Sequence, residues 1–273
     1  MTAGLRGGKA AASLLTPIGH IETVFPRKFV TPRQGTYSPA TRARLRVGPL
    51  PGQNVQTRDA FAGLTGFSHL WLLFSFHQIA AQPMRPKVQV PRLQGLRKGV
   101  FATRSPYRPN PIGLTLARLD AVRGDTLELS GVDLVDGTPI LDIKPYIPAY
   151  DRPDPATVTV PDWVQDAGRP LCAVEVEPPA ARDAEALPPE GFRLLRNPGE
   201  LLQTIRDVLA ADPRPAYRQK RPGDGGSYEF DLDAVTVKCR FEPAARGPGG
   251  AAAARGADMF DDVQEGVGEE AEG

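Results

Sequence analysis

Cysteine and histidine are scarce in this chain of 273 residues, which contains two cysteines and three histidines. Cys172 and Cys239 lie far apart, and no histidine has metal-ligand spacing with either of them. Neither a disulfide scaffold nor a metal site is therefore expected. Long hydrophobic runs are also missing, because no apolar segment approaches the roughly 18 residues of a membrane span. The sequence predicts a soluble, intracellular protein with no membrane segment and no metal.

Acidic residues are absent from residues 60 to 119, where eight lysines and arginines occur. The net charge of +1 conceals this asymmetry. Because seven of the 32 acidic residues and no basic residue follow Ala257, residues 1–257 carry a net charge of +8. A basic surface with interspersed aromatic residues suits a polyanion such as RNA. The alternative is a solvated positive face that has no partner.

The first half of the chain contains short segments rich in β-branched and aromatic residues, separated by glycine and proline, as is typical of strands. Strands are predicted at 17–25, 45–47, 67–76, 99–102, 114–122, 126–134 and 139–146. A hairpin turn is predicted at 123–125. With few helical patterns among them, these strands favour a mainly β fold, either a compact barrel or a rolled sheet.

Composition divides the chain into five parts. They are a disordered leader (1–15), the β domain (16–151), a proline-rich connector (152–195), a small α+β unit (196–243) and a disordered acidic tail (244–273). The α+β unit is predicted to contain an amphipathic helix over 198–211 and a hairpin over 228–241. A brief strand is predicted at 173–176. The acid-free leader has a second interpretation, an organellar presequence.

Polar side chains are concentrated in a loop that prolines stiffen, directly before the predicted strand at 114–122. The polar residues are Arg104, Tyr107, Arg108 and Asn110, and the prolines are Pro106, Pro109 and Pro111. Because proline fixes φ and restricts the residue before it, such a loop loses little entropy when it presents side chains to a ligand. The loop is therefore a candidate site; the alternative is a surface loop with incidental arginines.

A second polar cluster is predicted in the strand at 139–146. Period-two alternation places Asp142, Lys144 and Tyr146 on one face. A carboxylate, an ammonium group and a phenol on one strand face point to chemistry. The alternative is a buried pair between Asp142 and Lys144 that only specifies packing. Asp136, by contrast, is predicted to be structural, in a tight turn with Gly137.

Five segments of the chain carry a resemblance to a known protein family, and they occur here in the same order as in that family. They are TPRQ (31–34), GFSHLWLLFSFHQ (66–78), the proline-stiffened loop, the run 130–151 and, more thinly, DPRPAYR (212–218). The chain resembles the TrmO family of tRNA (adenine-N6)-methyltransferases, which carry a TsaA-like domain. The resemblance implies a single-sheet β-barrel that works as a homodimer and binds S-adenosyl-L-methionine. It also implies methylation of threonylcarbamoyl-adenosine beside the anticodon of threonine tRNAs. The G-x-G-x-x-G turn of doubly wound methyltransferases is absent.

The same resemblance implies a set of cofactor-binding positions. They are Arg33, Gln34, His77, Gln78, Arg104, Leu114, Gly131, Val132 and Asp133. In this interpretation Asp133 accepts hydrogen bonds from the ribose hydroxyls, and Arg33 or Arg104 pairs with the methionine carboxylate. Without the family, His77 would be interpreted as a hydrogen-bonded core histidine.

The remaining site residues are expected to act on the RNA. Asp142 or Tyr146 is expected to accept the N6 proton while Asn110 orients the nitrogen. The expected tRNA contacts are Tyr107, Arg108, Lys144, Arg214, Tyr217 and Arg218. For the group after the predicted helix, the alternative is a solvated helix terminus stabilised by cations.

Two other functions stay open from the sequence. One is a methyltransferase that acts on another RNA or on a small molecule, and the other is a non-catalytic RNA-binding protein with the same fold. A tRNA substrate predicts a cytoplasmic location, with the nucleus and the mitochondrion left open.

Overall fold

The computed structural model describes residues 15–28, 30–32, 34–49, 56–79, 83–90, 96–165, 170–214 and 226–242, together with the backbone of 252–259. Its strands are β1 (Gly19–Thr23), β2 (Arg42–Val47), β3 (His69–Ser75), β4 (Lys87–Gln89), β5 (Arg97–Gly99), β6 (Ile112–Arg123), β7 (Thr126–Ser130), β8 (Thr138–Pro145), β9 (Cys172–Glu175), β10 (Ser227–Leu232), β11 (Val235–Glu242) and β12 (Ala252–Met259). Its α-helices are α1 (Thr57–Ala60), α2 (Pro148–Asp151), α3 (Asp162–Gln165), α4 (Pro178–Ala186) and α5 (Pro198–Ala210).

Six strands close into a barrel in the order β1-β2-β7-β6-β3-β8, with antiparallel neighbours throughout. The alternation that predicts β3 is also what fills the barrel, since Leu70, Leu72 and Phe74 point inward and are buried. Gly124 takes a positive φ of 63° between β6 and β7, as a tight hairpin turn requires. The predicted barrel and this hairpin are confirmed.

The strand predicted at 99–102 is wrong beyond Gly99. Val100–Ala102 form a 3₁₀ turn, in which the Thr103 amide donates to the Val100 carbonyl at 3.1 Å. The residues before this turn belong to β5, which pairs with β4 in a separate two-stranded hairpin. The chain turns here because the Val100 amide bonds to the Pro86 carbonyl at 3.0 Å, not to a barrel strand.

The C-terminal unit is a four-stranded sheet in the order β10-β11-β12-β9, with α4 and α5 packed in the same unit. The predicted helix at 198–211 is confirmed as α5, which begins after Asn197, whose side chain accepts from the Glu200 amide at 3.0 Å. Leu201, Ile205 and Val208 on its apolar face are buried in the core of this unit. The predicted hairpin is present as β10 and β11, and the brief strand as β9.

Two expectations about order are corrected. Besides the predicted strand β9, the connector expected over 152–195 contains the helix α4, whose Ala180 and Ala184 are buried in the C-terminal core. Two of the connector's prolines, Pro178 and Pro179, fall in the first turn of α4, where no amide donor is needed. Part of the tail expected to be disordered forms β12, held by backbone pairing with β11 and β9. Residues 1–14, 243–251 and 260–273 lie outside the described residues.

The two units are packed together. Val24 and Phe25, which follow β1 of the barrel, are completely buried in the core of the C-terminal unit. Arg193 reaches back from the C-terminal unit to the Thr23 carbonyl and to Asp136, whose carboxylate accepts from the Thr23 amide at 2.7 Å. Within the described residues, no helix is long and apolar enough to cross a membrane.

Candidate active site

The site lies at the end of the barrel where β3 ends and β6 begins. The first half of β6 pairs with β3, whereas its pairing with β7 starts at Arg118. The other edge of this half-strand is therefore left for the chain that continues from β7, residues 131–134. Thr115, on β6 and 5% exposed, lies beside Asp133 in that segment. This places two of the sequence motifs against each other.

A close backbone approach fixes this segment. A Cβ added to Gly35 would lie 1.8 Å from the carbonyl oxygen of Gly131, so only glycine fits there. Gly131 itself has a φ of 66°. The Thr41 hydroxyl accepts from the Val132 amide at 2.9 Å and donates to the Ser38 carbonyl at 2.9 Å. The turn after TPRQ and the segment after β7 are thus held as one unit.

Asp133 is the electrostatic centre of the site. Its Oδ1 is buried and has no hydrogen-bond partner in the described part of the chain. Burial raises the pKa of Asp133, opposed by the Thr115 hydroxyl, by backbone amides including that of Gly35 and by the charge of Arg104. A buried acceptor with no partner is rare and is the feature expected where a ligand supplies the donor.

Arg104 is brought to the same place by the proline-stiffened loop. Its guanidinium donates to the side-chain oxygen of Gln34, so two predicted cofactor residues are in contact. The loop is held from inside by Arg108, whose Nη1 donates to the carbonyls of Thr103 at 2.7 Å and Val100 at 3.1 Å. This inward-turned Nη1 gives Arg108, predicted to contact tRNA, a role in shaping the loop.

Two further loop residues differ in exposure, since Tyr107 is half-buried and Asn110 is exposed. Tyr107 is stacked under the guanidinium of Arg85, 4.2 Å from its ring centroid. Asn110 is exposed, and its carbonyl accepts from the Ile112 amide at 2.7 Å, which turns the chain into β6. The side chain of Asn110 therefore stands at the rim of the site, at the start of the strand that carries Thr115.

His77 and Gln78 follow β3 in a short 3₁₀ turn, and both are exposed. The adjacent Phe76 amide donates to the Pro111 carbonyl at 2.8 Å, which ties this turn to the proline-stiffened loop. Partial burial and, to a lesser extent, the positive charge of the nearby His20 lower the pKa of His77. The exposed position of His77 rules out the core-histidine alternative.

The predicted catalytic residues lie on the outer face of the barrel. Backbone register aligns Leu114, Leu73 and Asp142 across β6, β3 and β8, so Leu114 and Asp142 are two strand spacings apart, about 10 Å. Asp142 Oδ2 pairs with Lys144 Nζ at 2.9 Å, while its Oδ1 accepts from the Ile143 amide at 2.9 Å. The Asp142 side chain is 48% exposed, so the pair forms but is not buried.

Tyr146 continues this face. Its backbone amide donates to the His69 carbonyl at 3.0 Å, and its ring meets Trp71 edge-on, with centroids 6.0 Å apart. Tyr146 therefore lies two rows beyond Asp142 along the face, next to an aromatic surface. The strand alternation predicted from the sequence is correct for Asp142, Lys144 and Tyr146.

The predicted tRNA residues near 214 divide into two groups. Arg214 makes two contacts within the fold. Its Nε lies 2.8 Å from Asp212 Oδ1, and its guanidinium lies 3.7 Å from the ring centroid of Phe241. Tyr217 and Arg218 lie outside the described residues, as does Arg33 of the TPRQ motif.

Three residues that build the site are missing from the sequence prediction: Gly35, Thr41 and Thr115. The sequence does contain a signal for Thr115. Gly113, Thr115 and Ala117 alternate along β6 and face inward, and Thr115 is the one polar residue of these three. Gly35 directly follows TPRQ, but the sequence gives no sign that this position requires glycine. The requirement comes from the close contact with Gly131, which lies almost a hundred residues away in the chain.

The donor set fits S-adenosylmethionine. That molecule carries ribose hydroxyls, which donate to a carboxylate, and a carboxylate, which pairs with a guanidinium. Asp133 Oδ1 is an unpartnered acceptor, and Arg104 lies close enough to it to influence its pKa. Among the described residues, no three His, Cys, Asp or Glu side chains are grouped as metal ligands.

Comparison with known proteins identifies the family. Residues 20–152 match the tRNA-methyltransferase O N-terminal domain, and residues 170–246 match the TrmO C-terminal domain. The Escherichia coli tRNA (adenine(37)-N6)-methyltransferase is 41% identical over 233 residues, which cover 83% of this chain and 92% of that protein. A Pseudomonas aeruginosa protein with the assigned name S-adenosylmethionine-dependent methyltransferase RcsF is 44% identical over 221 residues, covering 80% and 90%.

The fold agrees with this match. The crystal structure of TrmO from Pseudomonas aeruginosa superposes with a TM-score of 0.63 at 34% identity, covering 90% of this chain and 97% of that one. Both domain models, the relatives and the solved structure therefore lead to one conclusion: the chain belongs to the TrmO family of tRNA methyltransferases.

Proposed function

We propose that this chain methylates N6 of threonylcarbamoyl-adenosine beside the anticodon of threonine tRNAs, as a homodimer in the cytoplasm. Family membership makes it an S-adenosylmethionine-dependent methyltransferase for N6 of tRNA adenine 37. The observation that carries the proposal is the buried Oδ1 of Asp133 with no partner. An unpaired buried acceptor costs about 1–3 kcal/mol, and a ligand that donates to it removes this cost.

Asp133 and Arg104 would hold the two polar ends of the cofactor. Asp133 would accept from ribose hydroxyls, and Arg104, oriented by Gln34, would pair with the amino-acid carboxylate. Leu114 is 49% exposed and offers an apolar contact. The other positions assigned to the cofactor are Arg33, His77, Gln78, Gly131 and Val132.

Alignment of the nucleophile would supply most of the rate. When bound, the cofactor supplies a methyl group on a positively charged sulfur, and the sulfur keeps the electron pair as the methyl passes to N6. The carbamoyl substituent acidifies the N6 proton, so a modest base suffices. Asn110, exposed at the start of β6, would orient the nitrogen.

The pair between Asp142 and Lys144 suggests how a base would become available. Lys144 occupies Asp142 Oδ2 at 2.9 Å in the free protein. The threonyl carboxylate of the substrate would draw the Lys144 ammonium to itself and leave Oδ2 to accept the N6 proton. Tyr146, next to Trp71, would relay the proton or support the substrate base. An Asp142→Asn protein that binds cofactor and keeps full turnover would exclude this role for Asp142.

The tRNA would meet both units. On the barrel, Tyr107 stacked with Arg85 offers an aromatic and cationic surface for an unstacked base. Arg108 would support this surface from beneath. On the C-terminal unit, Tyr217 and Arg218 are the expected contacts, and Arg214 would anchor their segment through Asp212.

A second copy would cover the outer face of β6. Ile112 is 40% exposed and Leu114 is 49% exposed, side by side with half-buried Leu73 and Trp71 of β3. An apolar sheet face of this kind is typical of an interface. Light scattering after gel filtration should give twice the monomer mass, and Leu114→Glu should give the monomer.

The test of the reaction is methyl transfer from labelled S-adenosylmethionine to purified threonine tRNA, prepared with and without the threonylcarbamoyl group. Nucleoside mass spectrometry then locates the label. We expect label on the carbamoylated nucleoside alone. Cofactor binding without transfer would favour another RNA or a small molecule as substrate. Loss of cofactor binding as well would favour a non-catalytic RNA-binding protein.

A further inference from the structure

The hairpin of β4 and β5 stands outside the barrel and has two different faces. Register pairs Lys87 with Gly99 and Gln89 with Arg97, so these four residues share one face. The opposite face packs inward, since Val88 is 7% exposed and Lys98 Nζ lies 5.7 Å from the ring centroid of Trp163. The first face is exposed at all four positions.

This exposed face is basic and carries no counter-charge. Lys87 and Arg97 lie on it, and Arg85 precedes it; we call these three residues the basic strip. No described carboxylate lies within 4.0 Å of their charged groups, and the chain has no acidic residue between 60 and 119. A surface that carries only positive charges, with no ion pairs to acidic residues of the protein, is suited to bind an external anion.

The basic strip is fixed relative to the active site. The Arg85 amide donates to the Tyr107 carbonyl at 3.3 Å, and the Arg85 guanidinium covers the Tyr107 ring. At the other strand, the Val100 amide donates to the Pro86 carbonyl at 3.0 Å. The base of the hairpin is therefore bonded to the loop that carries Arg104, and the strip extends outward from that loop.

An exposed aromatic ring lies where the hairpin meets the loop. Phe101 is 72% exposed, and the Arg108 guanidinium lies 5.5 Å from its ring centroid. Such a ring is a platform for an unpaired base, and the cations beside it match the phosphates of the same strand.

We propose that the basic strip binds the phosphodiester backbone of the tRNA strand that flanks the methylated nucleotide, with Phe101 stacking one unpaired base of that strand. This proposal rests on the proposed function, because tRNA is its ligand. The contacts are to phosphates and to a base face, so the strip fixes the position of the RNA without selecting its sequence. Arg85 and Arg97 offer forked donors to phosphate oxygens, and Lys87 offers a point charge.

The test measures the dissociation constant of threonine tRNA by fluorescence anisotropy at several salt concentrations. Lys87→Gln and Arg97→Gln should each reduce the slope of log affinity against log salt by about 0.7–0.9, the value for one phosphate contact. Both variants should raise KM for tRNA and leave kcat and the affinity for S-adenosylmethionine unchanged. Phe101→Ala should weaken binding while leaving the salt slope unchanged.

Arg58→Gln is the matched control. Arg58 is exposed on α1, outside the basic strip, and its removal changes the net charge equally. If Arg58→Gln reduces the salt slope as much as Lys87→Gln does, the effect is one of general charge and the proposal is overturned. The charge reversal Lys87→Glu should weaken binding further, and melting temperatures should stay at the wild-type value in every variant.

Failure of the strip and failure of the proposed function give different results. If the wild type methylates tRNA and the strip variants bind it with wild-type affinity and slope, the strip proposal is overturned and the function stands. If the wild type binds tRNA but never methylates it, while the strip variants lower the slope, the function falls and the strip stands.

Discussion

Asp133 shows how one residue can identify a site. A carboxylate buried between Thr115 and the turn at Gly35 has a raised pKa and one oxygen without a partner. In a stable core such a group would be replaced or paired, because leaving it unpaired costs folding free energy. The unpaired buried oxygen of Asp133 therefore indicates a ligand that donates hydrogen bonds, as ribose hydroxyls do.

Asp133→Asn should weaken the binding of S-adenosylmethionine. Hydrogen bonds to a charged acceptor contribute about 1.5–3 kcal/mol, which corresponds to a loss of affinity of about 10- to 150-fold. Isothermal titration calorimetry measures this loss directly. Asp59→Asn, on exposed α1, is the control and should bind like the wild type. Wild-type affinity in the Asp133→Asn protein would remove Asp133 from the cofactor site.

The raised pKa of Asp133 also predicts a pH dependence. Burial makes the free protein take up a proton on Asp133 above the ordinary aspartate value of 3.8, while hydroxyl donors require the ionised carboxylate. Cofactor affinity should therefore fall as pH decreases toward the raised pKa, and this fall should be absent in Asp133→Asn. Titrations between pH 4 and 8 test this; a wild-type profile that stays flat down to about pH 4, near the unperturbed aspartate pKa, would contradict it.

The raised pKa of Asp133 has the opposite effect on the stability of the protein without cofactor: stability should decrease, not increase, as pH rises. A carboxyl whose pKa is raised on folding contributes stability while protonated and loses it as pH rises through the folded pKa. Near neutral pH, Asp133→Asn without cofactor should therefore melt above the wild type, by about 2–4 °C for each kcal/mol relieved. The difference in melting temperature between Asp133→Asn and the wild type should become smaller as pH falls. Differential scanning calorimetry at several pH values separates this from the loss of binding.

At the scale of elements, the turn after TPRQ and the segment after β7 act together through a backbone contact. Gly35→Ala would place a methyl group 1.8 Å from the Gly131 carbonyl oxygen, which is backbone and cannot rotate away. We expect a loss of about 1–3 kcal/mol, typical of overpacking, together with weakened cofactor binding. Gly66→Ala is the matched control, because its Cβ would meet nothing within 4 Å. Urea unfolding compares the two, and equal stability would refute the close approach.

The elements that the sequence predicts are those whose signal is local. Alternation in β3 and the apolar face of α5 can both be recognised from neighbouring residues, and both are correct. α4 was missed because its opening prolines were interpreted as connector composition, although proline is tolerated in a first turn. β12 was missed because its strand pairing depends on backbone partners in β9 and β11.

In the site, too, the features that the sequence predicts are local, and the features that it misses depend on contacts between distant segments. The residues on motifs were named from the sequence, and Gln34, Arg104 and Asp133 indeed lie together. The inward orientation of Arg108 and the seam between Gly35 and Gly131 depend on contacts between distant segments, which a single sequence does not reveal. Side-chain type is therefore predictable here, whereas side-chain orientation is not.

At the scale of the whole molecule, α5 faces two ways. Its apolar residues complete the C-terminal core, while Glu200 faces the barrel and accepts from Arg42 Nη2 at 2.5 Å. Arg42 Nη1 donates to Asp120 of β6 at 2.6 Å, and the Ser130 hydroxyl donates to the same carboxylate at 3.0 Å. Arg42 therefore links β2, β6 and α5, and thus the two units.

Near this link, other polar groups are buried. Thr204 and Asp207 follow Glu200 at helical spacing, and Asp207 lies beside Ser38, close to the turn at Gly35. Thr204 Oγ1 and Arg42 Nε are buried without hydrogen-bond partners in the described part of the chain. This part of the seam between the units is thus polar, and the Arg42 ion pairs act beside the apolar contact that Val24 and Phe25 make with the C-terminal core.

Arg42→Gln should strongly destabilise the assembled molecule. The Arg42 side chain is 18% exposed and its two acidic partners are 11% and 15% exposed, so its removal leaves two poorly solvated carboxylates without their close ion pair. Asp120 then keeps only the longer contact with Arg118, whose Nε lies 3.6 Å from Asp120 Oδ1. Breaking a buried pair costs about 3–5 kcal/mol, and partial exposure places this one near the lower end. Arg46→Gln is the control, since Arg46 pairs with Asp125 at 2.9 Å but is 75% exposed. Such surface pairs contribute about 0–1 kcal/mol. Urea unfolding at neutral pH should separate the two variants clearly, and equal effects would mean that Arg42 does not hold the units together.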